Sequence, residues 1–189
     1  HELPPYEAVG ANISFVGNPL IDTVRAEMGE EEARRHFGVA DGEIPVLLMP
    51  GSRREEIERL LSPMLGAAEI LAARDSMRRF FLPVAVGVDV AGGVDTAQIQ
   101  RHLAASSVEV TLTHDARYAL MGIARAAIAA SGTVIMEAAI MGLPAVVLYR
   151  MSALSYLVGR LLVDVPRFSL PNILVGETFE TELLQDEHW

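Results

Sequence analysis

Apolar residues in this chain gather in short unbroken runs, separated by longer stretches in which they recur every three or four positions. The runs at 46–49, 80–86, 126–130 and 145–149 have strand length without polar alternation, which suits strands buried on both faces, and 108–112 (VEVTL) reads as a further strand with polar residues alternating. Between them the pattern predicts helices at 22–37, 55–74, 96–105, 117–124, 134–141 and 152–163. Gly38 closes the first, and Gly142 with Pro144 just beyond closes the fifth. The stretch 15–19 reads as a turn, 91–93 and 113–116 as loops, and 166–176 as irregular. Strands alternating with helices predict an α/β fold, a Rossmann-like and mostly parallel sheet with helices on both faces. Ligands then belong at the carboxyl ends of the strands.

Two strand-to-helix turns carry the candidate chemistry. In RAAIAASGTVIMEAAIMGLPAVVLYR (125–150), a strand stops at Ser131-Gly132-Thr133, where glycine permits a tight backbone and either hydroxyl can cap the next helix. Helix, Gly-Leu-Pro break and second strand complete a βαβ unit, whose helix N-terminus directs N–H groups and a positive dipole above the sheet. Glu137 is the odd residue, a carboxylate one turn inside an otherwise apolar helix. It reads either as a partner of the helix dipole or as an acceptor for vicinal sugar hydroxyls.

The second turn lies in VLLMPGSRREEIE (46–58). Ser52 and Glu55 have capping-box spacing. Arg53 falls at the helix N-terminus, where a cation is unfavourable unless an anion is bound beside it. Two strand ends with open helix N-termini and an arginine describe a diphosphate cradle; the alternative is an ordinary surface arginine.

Composition narrows the class. A chain of 189 residues, 51% of them hydrophobic, can bury one good core but hardly two. A formal charge of −10 argues against nonspecific nucleic-acid binding. All fifteen basic residues are arginine. There is no cysteine, hence no disulfide, thiol nucleophile or thiolate metal site. The five histidines lack ligand spacing, so no metal is expected. Residues 1–10 hold two prolines and two glutamates, unlike a signal peptide. Tyr118 to Tyr149 carries only Arg125 and Glu137 as charges, yet its two breaks leave pieces too short to span a bilayer. A cytoplasmic location is the expectation.

FVGNPLID, LMPGSRREEI, AASGTVIMEAAIMGLPAVVLYR, SLPNILVG and ELLQDE occur in this order, and a sequence with these elements resembles the lipid-A-disaccharide synthase family. That resemblance implies a GT-B glycosyltransferase moving 2,3-diacylglucosamine from UDP onto lipid X, without a cofactor; the alternatives are another GT-B UDP-sugar enzyme, a UDP-N-acetylglucosamine transferase or 2-epimerase, and a non-catalytic nucleotide-sugar-binding module. It covers roughly 15–187 and implies the C-terminal, donor-binding half of a GT-B fold. Residues 1–14 are then a linker or chain edge, and 15–189 form a UDP-sugar-binding domain, truncated relative to a two-domain enzyme. The acceptor half would precede His1. Gly51, Ser52 and Arg53 match the family's diphosphate-side turn, Ser131, Gly132 and Thr133 its second phosphate-side turn, and Glu137 the carboxylate that holds ribose hydroxyls in GT-B relatives. Asn172 matches the asparagine of LPN at the cleft, and Gln185 belongs to ELLQ. Fold analogy places the loop 113–117 against uracil. At Asn18 the chain departs from the histidine usual in the bacterial enzymes. Implied partners are the UDP-diacylglucosamine donor and lipid X. A homodimer and a peripheral contact with the inner membrane fit the resemblance. The apolar helix at 152–163 reads first as buried and second as lying in a membrane interface.

Overall fold

A computed structural model of the chain describes residues 3–84, 96–151, 156 and 167–185. Six strands, β1 (Ile44–Met49), β2 (Arg78–Pro83), β3 (Val110–Thr113), β4 (Ala126–Ala130), β5 (Ala145–Tyr149) and β6 (Thr181–Leu184), form one sheet in the order β3-β2-β1-β4-β5-β6. Every neighbouring pair among them is parallel. The helices are α1 (Leu3–Ala8), α2 (Leu20–Thr23), α3 (Glu30–His36), α4 (Arg54–Arg74), α5 (Thr96–Ala104), α6 (Arg117–Ile123), α7 (Thr133–Ile140) and α8 (Leu170–Val175). Parallel pairing needs a crossover to return the chain, and helices α4 and α7 supply it between β1 and β2 and between β4 and β5.

The unbroken apolar runs work because β1, β2, β4 and β5 each feed two cores. Val46, Leu48, Phe80 and Leu82 face α4 and α5, together with Ile57, Leu61, Met64 and Ile99. Their chain neighbours Leu47, Met49 and Phe81 face the other way, onto Leu120, Met121, Ile135 and Ala138 of α6 and α7. The period-2 geometry of a strand divides one hydrophobic word between two layers.

The structure departs from the sequence reading at several points. The helix expected at 22–37 is two short helices, α2 and α3, with extended backbone at Val24 and Gly29 between them. That interruption lets Val24 reach the core, at 6% exposure, and lets Glu27 Oε2 accept the Ala119 N–H at 2.8 Å, satisfying an open donor in the first turn of α6. The strand expected at 80–86 starts at Arg78 and ends at Pro83, and that expected at 108–112 lies at Val110–Thr113. Within 166–176, read as irregular, Leu170–Val175 is helical with Pro171 at its start and left-handed Gly176 (φ 80°) at its end. Strand β6 was not foreseen. The helix expected at 152–163 lies outside the described residues apart from Tyr156. Among the described residues no helix is long and apolar enough to cross a membrane.

Candidate functional site

From β1 the chain moves through β2 to β3 at one edge, then returns to β4 on the opposite side of β1. The strand order reverses between β1 and β4, and an open α/β sheet offers a crevice at the carboxyl ends of the strands at such a point. The turn after β1 is Pro50–Arg53 and the turn after β4 is Ser131-Gly132. A cavity of about 300 Å³ opens between them, and Gly51, Ser52, Arg53, Ser131, Gly132, Thr133 and Glu137 line it. Seven of the nine residues singled out in the sequence therefore share one cleft.

On the β1 side, Arg53 is the N-cap of α4 with extended backbone (φ −109°, ψ 144°). The capping interaction differs from the Ser52/Glu55 pair expected. A guanidinium has no acceptor to offer, so the capping is done by Glu56: its Oε2 accepts the N–H groups of Ser52 at 3.0 Å and Arg53 at 3.2 Å, while Oε1 accepts from Arg53 Nη1 at 3.1 Å. Glu55 instead accepts from Arg59 on the outer surface of α4. One step along a helix is a rotation of about 100°, enough to move a carboxylate from the turn to solvent. Gly51 takes φ +106°, a value that favours glycine, and a Cβ there would collide with the Glu56 carboxylate.

On the β4 side, Gly132 is the N-cap of α7 and no side chain caps that helix. Neither hydroxyl plays the capping part expected of it. Ser131 Oγ donates instead to the Phe168 carbonyl at 3.2 Å, tying the turn to the segment before α8, and Thr133 is the first helical residue. The backbone of Gly132 is extended (φ 170°), and a Cβ built on it meets nothing within 4 Å. The space that any other residue would fill is open cavity.

Glu137 sits one turn into α7 at 6% exposure. Its Oε1 accepts from Arg117 Nη2 at 3.0 Å, and Arg117 also lies over the Tyr118 ring at 4.8 Å from its centroid. Its Oε2 is buried with no hydrogen-bond partner. A buried carboxylate oxygen without a donor is costly, and here it belongs to a residue lining the cavity. The cleft thus holds two arginines and two carboxylates in pairs, Arg53 with Glu56 and Arg117 with Glu137. It can offer turn N–H groups and guanidinium to an anion, and an acceptor oxygen to a hydroxyl.

Asn172 and Gln185 are not brought into this cavity. Asn172 is fully buried and its amide is saturated: Nδ2 donates to the Glu180 carbonyl and to Glu182 Oε1, and Oδ1 accepts the N–H groups of Phe179 and Glu180. It holds α8 to the approach of β6. Gln185 makes a two-point pair with the Met151 backbone, accepting its N–H at 2.9 Å and donating to its carbonyl at 3.1 Å, which prolongs the β5/β6 ladder by side-chain means. Glu182 accepts from Ser169 and from the Phe168 and Ser169 N–H groups as well as from Asn172. Burial pushes its carboxyl up, but these hydrogen bonds outweigh burial and hold it below the ordinary value. Burial raises Glu180 above the ordinary value, against one hydrogen bond from the Ala145 N–H. Asn18, the point of departure from the family pattern, accepts the Leu20 N–H at 3.0 Å and so starts α2.

The loop 113–117 reaches the same region. Thr113, His114, Asp115, Ala116 and Arg117 line a second cavity with Glu27, and Pro83 and Arg117 border both. Ala116 is left-handed (φ 45°, ψ 40°) immediately before α6, a conformation that costs a non-glycine residue roughly 1 to 2 kcal/mol. Sequence reasoning passed over Glu56 and Glu27, and took Arg117 only as the end of the loop set against uracil. Glu56 was accessible from the REE spacing, at N3 of a helix whose N-cap is Arg53, one residue after the Ser52 supposed; nothing local marks the partners of Arg117 or Glu27, which are distant in the chain.

A parallel sheet whose order reverses between two helix-starting turns, with a guanidinium at one and a buried free acceptor beside the other, defines a Rossmann-like α/β domain with an open cleft at its switch point. Over residues 1–188 the sequence matches the family described as Lipid-A-disaccharide synthetase, and the chain belongs to that family. It is 42% identical over 186 residues to the lipid-A-disaccharide synthase of Geobacter sulfurreducens, covering 98% of this chain and 47% of that protein. It is 38% identical to that of Nitrosococcus oceani, covering 98% and 46%. The chain thus spans about half the length of the curated relatives it matches. Among solved structures, the UDP-GlcNAc 2-epimerase of Methanocaldococcus jannaschii is similar with a TM-score of 0.55 at 16% identity, covering 91% of this chain and 44% of that one. WaaG, a glycosyltransferase involved in lipopolysaccharide biosynthesis, is similar at 0.51 and 15%, covering 90% and 41%. At such identities the likeness is one of fold, the Rossmann-like architecture of GT-B glycosyltransferases.

Proposed function

We propose that the cleft between the β1 and β4 turns holds the UDP portion of a diacylglucosamine donor, and that the chain is the donor-binding half of a lipid-A-disaccharide synthase. The single observation that carries this reading is the unpartnered Glu137 Oε2, buried beside the same cavity as the two anion-accepting turns. A ribose hydroxyl donating to it would remove the cost of the orphaned oxygen, while the diphosphate meets Arg53 and the N-terminus of α7. The space at Gly132 gives a phosphate close access to the backbone.

In the transfer that this assigns, a hydroxyl oxygen of lipid X bonds to the anomeric carbon as the bond from that carbon to the UDP oxygen breaks, with inversion. The departing diphosphate gains negative charge, which Arg53 and the turn N–H groups stabilise. The acceptor's proton passes to a base, which we assign, with the lipid X site, to the part of the family's length that this chain does not span. Lipid substrates would place the enzyme as a peripheral protein at the cytoplasmic face of the inner membrane, a placement that flotation with anionic vesicles tests.

Calorimetry with UDP and a glycosyl-transfer assay, both on this chain, test the reading together. The expected result is UDP binding at one site without turnover. Absence of UDP binding would overturn the cleft assignment, and turnover would overturn the division of labour.

A further inference from the structure

We propose that Glu56 is a built-in competitor for the anion site, its carboxylate occupying the place of a ligand phosphate and leaving when the ligand binds. This rests on the diphosphate reading of the Gly51–Arg53 turn. Three donors converge on the Glu56 carboxylate: the N–H groups of Ser52 and Arg53 at 3.0 and 3.2 Å, and Arg53 Nη1 at 3.1 Å. Backbone N–H groups at a helix start and an adjacent guanidinium are the set that a phosphate oxygen would recruit. The turn is closed around this carboxylate, since a Cβ at Gly51 would strike it. A second anion cannot share the same three donors, because two negative groups at hydrogen-bond distance repel strongly.

The contact is also built to open. The Glu56 side chain keeps 27% of its surface exposed, and Arg53 keeps 81%, so the carboxylate can rotate into solvent without disturbing the α4 core. The partners of Glu56 are all local, within four residues of it, so nothing distant in the fold resists its release. An isolated phosphate gains only the three donors that Glu56 vacates. A diphosphate held also through its nucleoside gains further contacts, at Glu137 among them, and can meet the cost of displacement. Glu56 therefore selects for the whole nucleotide over free phosphate, and its return to the turn favours release of the product UDP.

The test uses UDP and uridine affinities of this chain and of three variants, Glu56→Gln, Glu56→Asp and Arg53→Ala. Glu56→Asp keeps the charge but is one methylene too short to reach the Ser52 N–H. Displacement predicts that Glu56→Gln and Glu56→Asp both tighten UDP by about three- to tenfold, with uridine unchanged, and that the Gln effect persists in molar salt, where simple repulsion is screened. Tightening by Gln alone, abolished by salt, would mean charge repulsion without displacement and overturn the proposal. If both Glu56 variants bind UDP like the parent while Arg53→Ala weakens it, Glu56 stays in place: the proposal fails and the diphosphate site stands. If Arg53→Ala leaves UDP affinity unchanged, the turn is not the diphosphate site and both readings fall.

Discussion

Arg117 binds one oxygen of Glu137, with Nη2 3.0 Å from Oε1, and leaves the other oxygen buried and unpartnered. The ion pair fixes the carboxylate against the side chain of α6, so that Oε2 is held ready for a donor that the protein itself does not provide. Glu137→Ala should therefore weaken uridine and UDP by the same factor, about tenfold for a hydrogen bond to a charged group. Affinities that both stay at the parental value would reduce Glu137 to a partner of the α7 dipole.

Arg53 should discriminate where Glu137 does not. Its guanidinium can make two charge-assisted bonds to a diphosphate, so Arg53→Ala should cost UDP roughly 1.5 to 3 kcal/mol of binding free energy and leave uridine unaffected. Titration calorimetry with both ligands checks it. Equal losses for the two would place the diphosphate elsewhere.

Gly132 offers a test of space alone. Its extended backbone is open to alanine and a Cβ meets no atom within 4 Å, so Gly132→Ala should leave stability unchanged or raise it by about 0.5 kcal/mol. The added methyl group enters the cavity, and UDP affinity should drop by about tenfold or more through lost close approach of the phosphate to the backbone. Denaturant melts paired with UDP titration separate the two effects; unchanged UDP affinity would put the ligand away from the α7 N-terminus.

Asn172 should behave as a folding residue. Truncation to alanine leaves the half-buried N–H of Phe179 and the buried N–H of Glu180 without their acceptor and removes one donor from Glu182. A loss on the order of 3 kcal/mol is expected in urea unfolding, with UDP affinity of the folded fraction unchanged. A stable Asn172→Ala protein that binds UDP weakly would return this residue to the cleft.

Glu180 and Glu182 should respond to acid in opposite senses. The folded-state pKa of Glu182 is depressed, so its contribution is present above the unfolded value and fades as pH falls through the folded one. That of Glu180 is raised, so its ionised form weakens the fold at neutral pH and protonation on acidification favours the folded state. Glu180→Gln, which keeps an oxygen for the Ala145 N–H, should raise the melting temperature near pH 7, with the gain shrinking towards about pH 4. Glu182→Gln should lower it near pH 7 and flatten the acid limb. A Glu180→Gln protein less stable than the parent near neutrality would contradict the burial argument.

The pattern of residues along the chain was enough for the layered α/β architecture, because unbroken apolar runs of strand length need cover on both faces and the intervening amphipathic stretches provide it. It was also enough for the two turns, since Gly51-Ser52-Arg53 and Ser131-Gly132-Thr133 are local signals whose conformation depends on residues within a few positions. Carrying Asn172 and Gln185 over from the family motifs located two words but not their contacts: Asn172 bonds the Phe179 and Glu180 backbone and the Glu182 carboxylate, and Gln185 the Met151 backbone 34 positions away, relations invisible until β6 is placed beside β5. The same holds for Arg117 and Glu137, which are 20 positions apart, and for Glu27 and Ala119, which are 92 apart. Even the split between α2 and α3 follows from the pull of such distant partners, which outweighs local helix propensity. Tertiary structure alone decided that the two turns face one cavity, because strand order, not chain order, sets β1 beside β4.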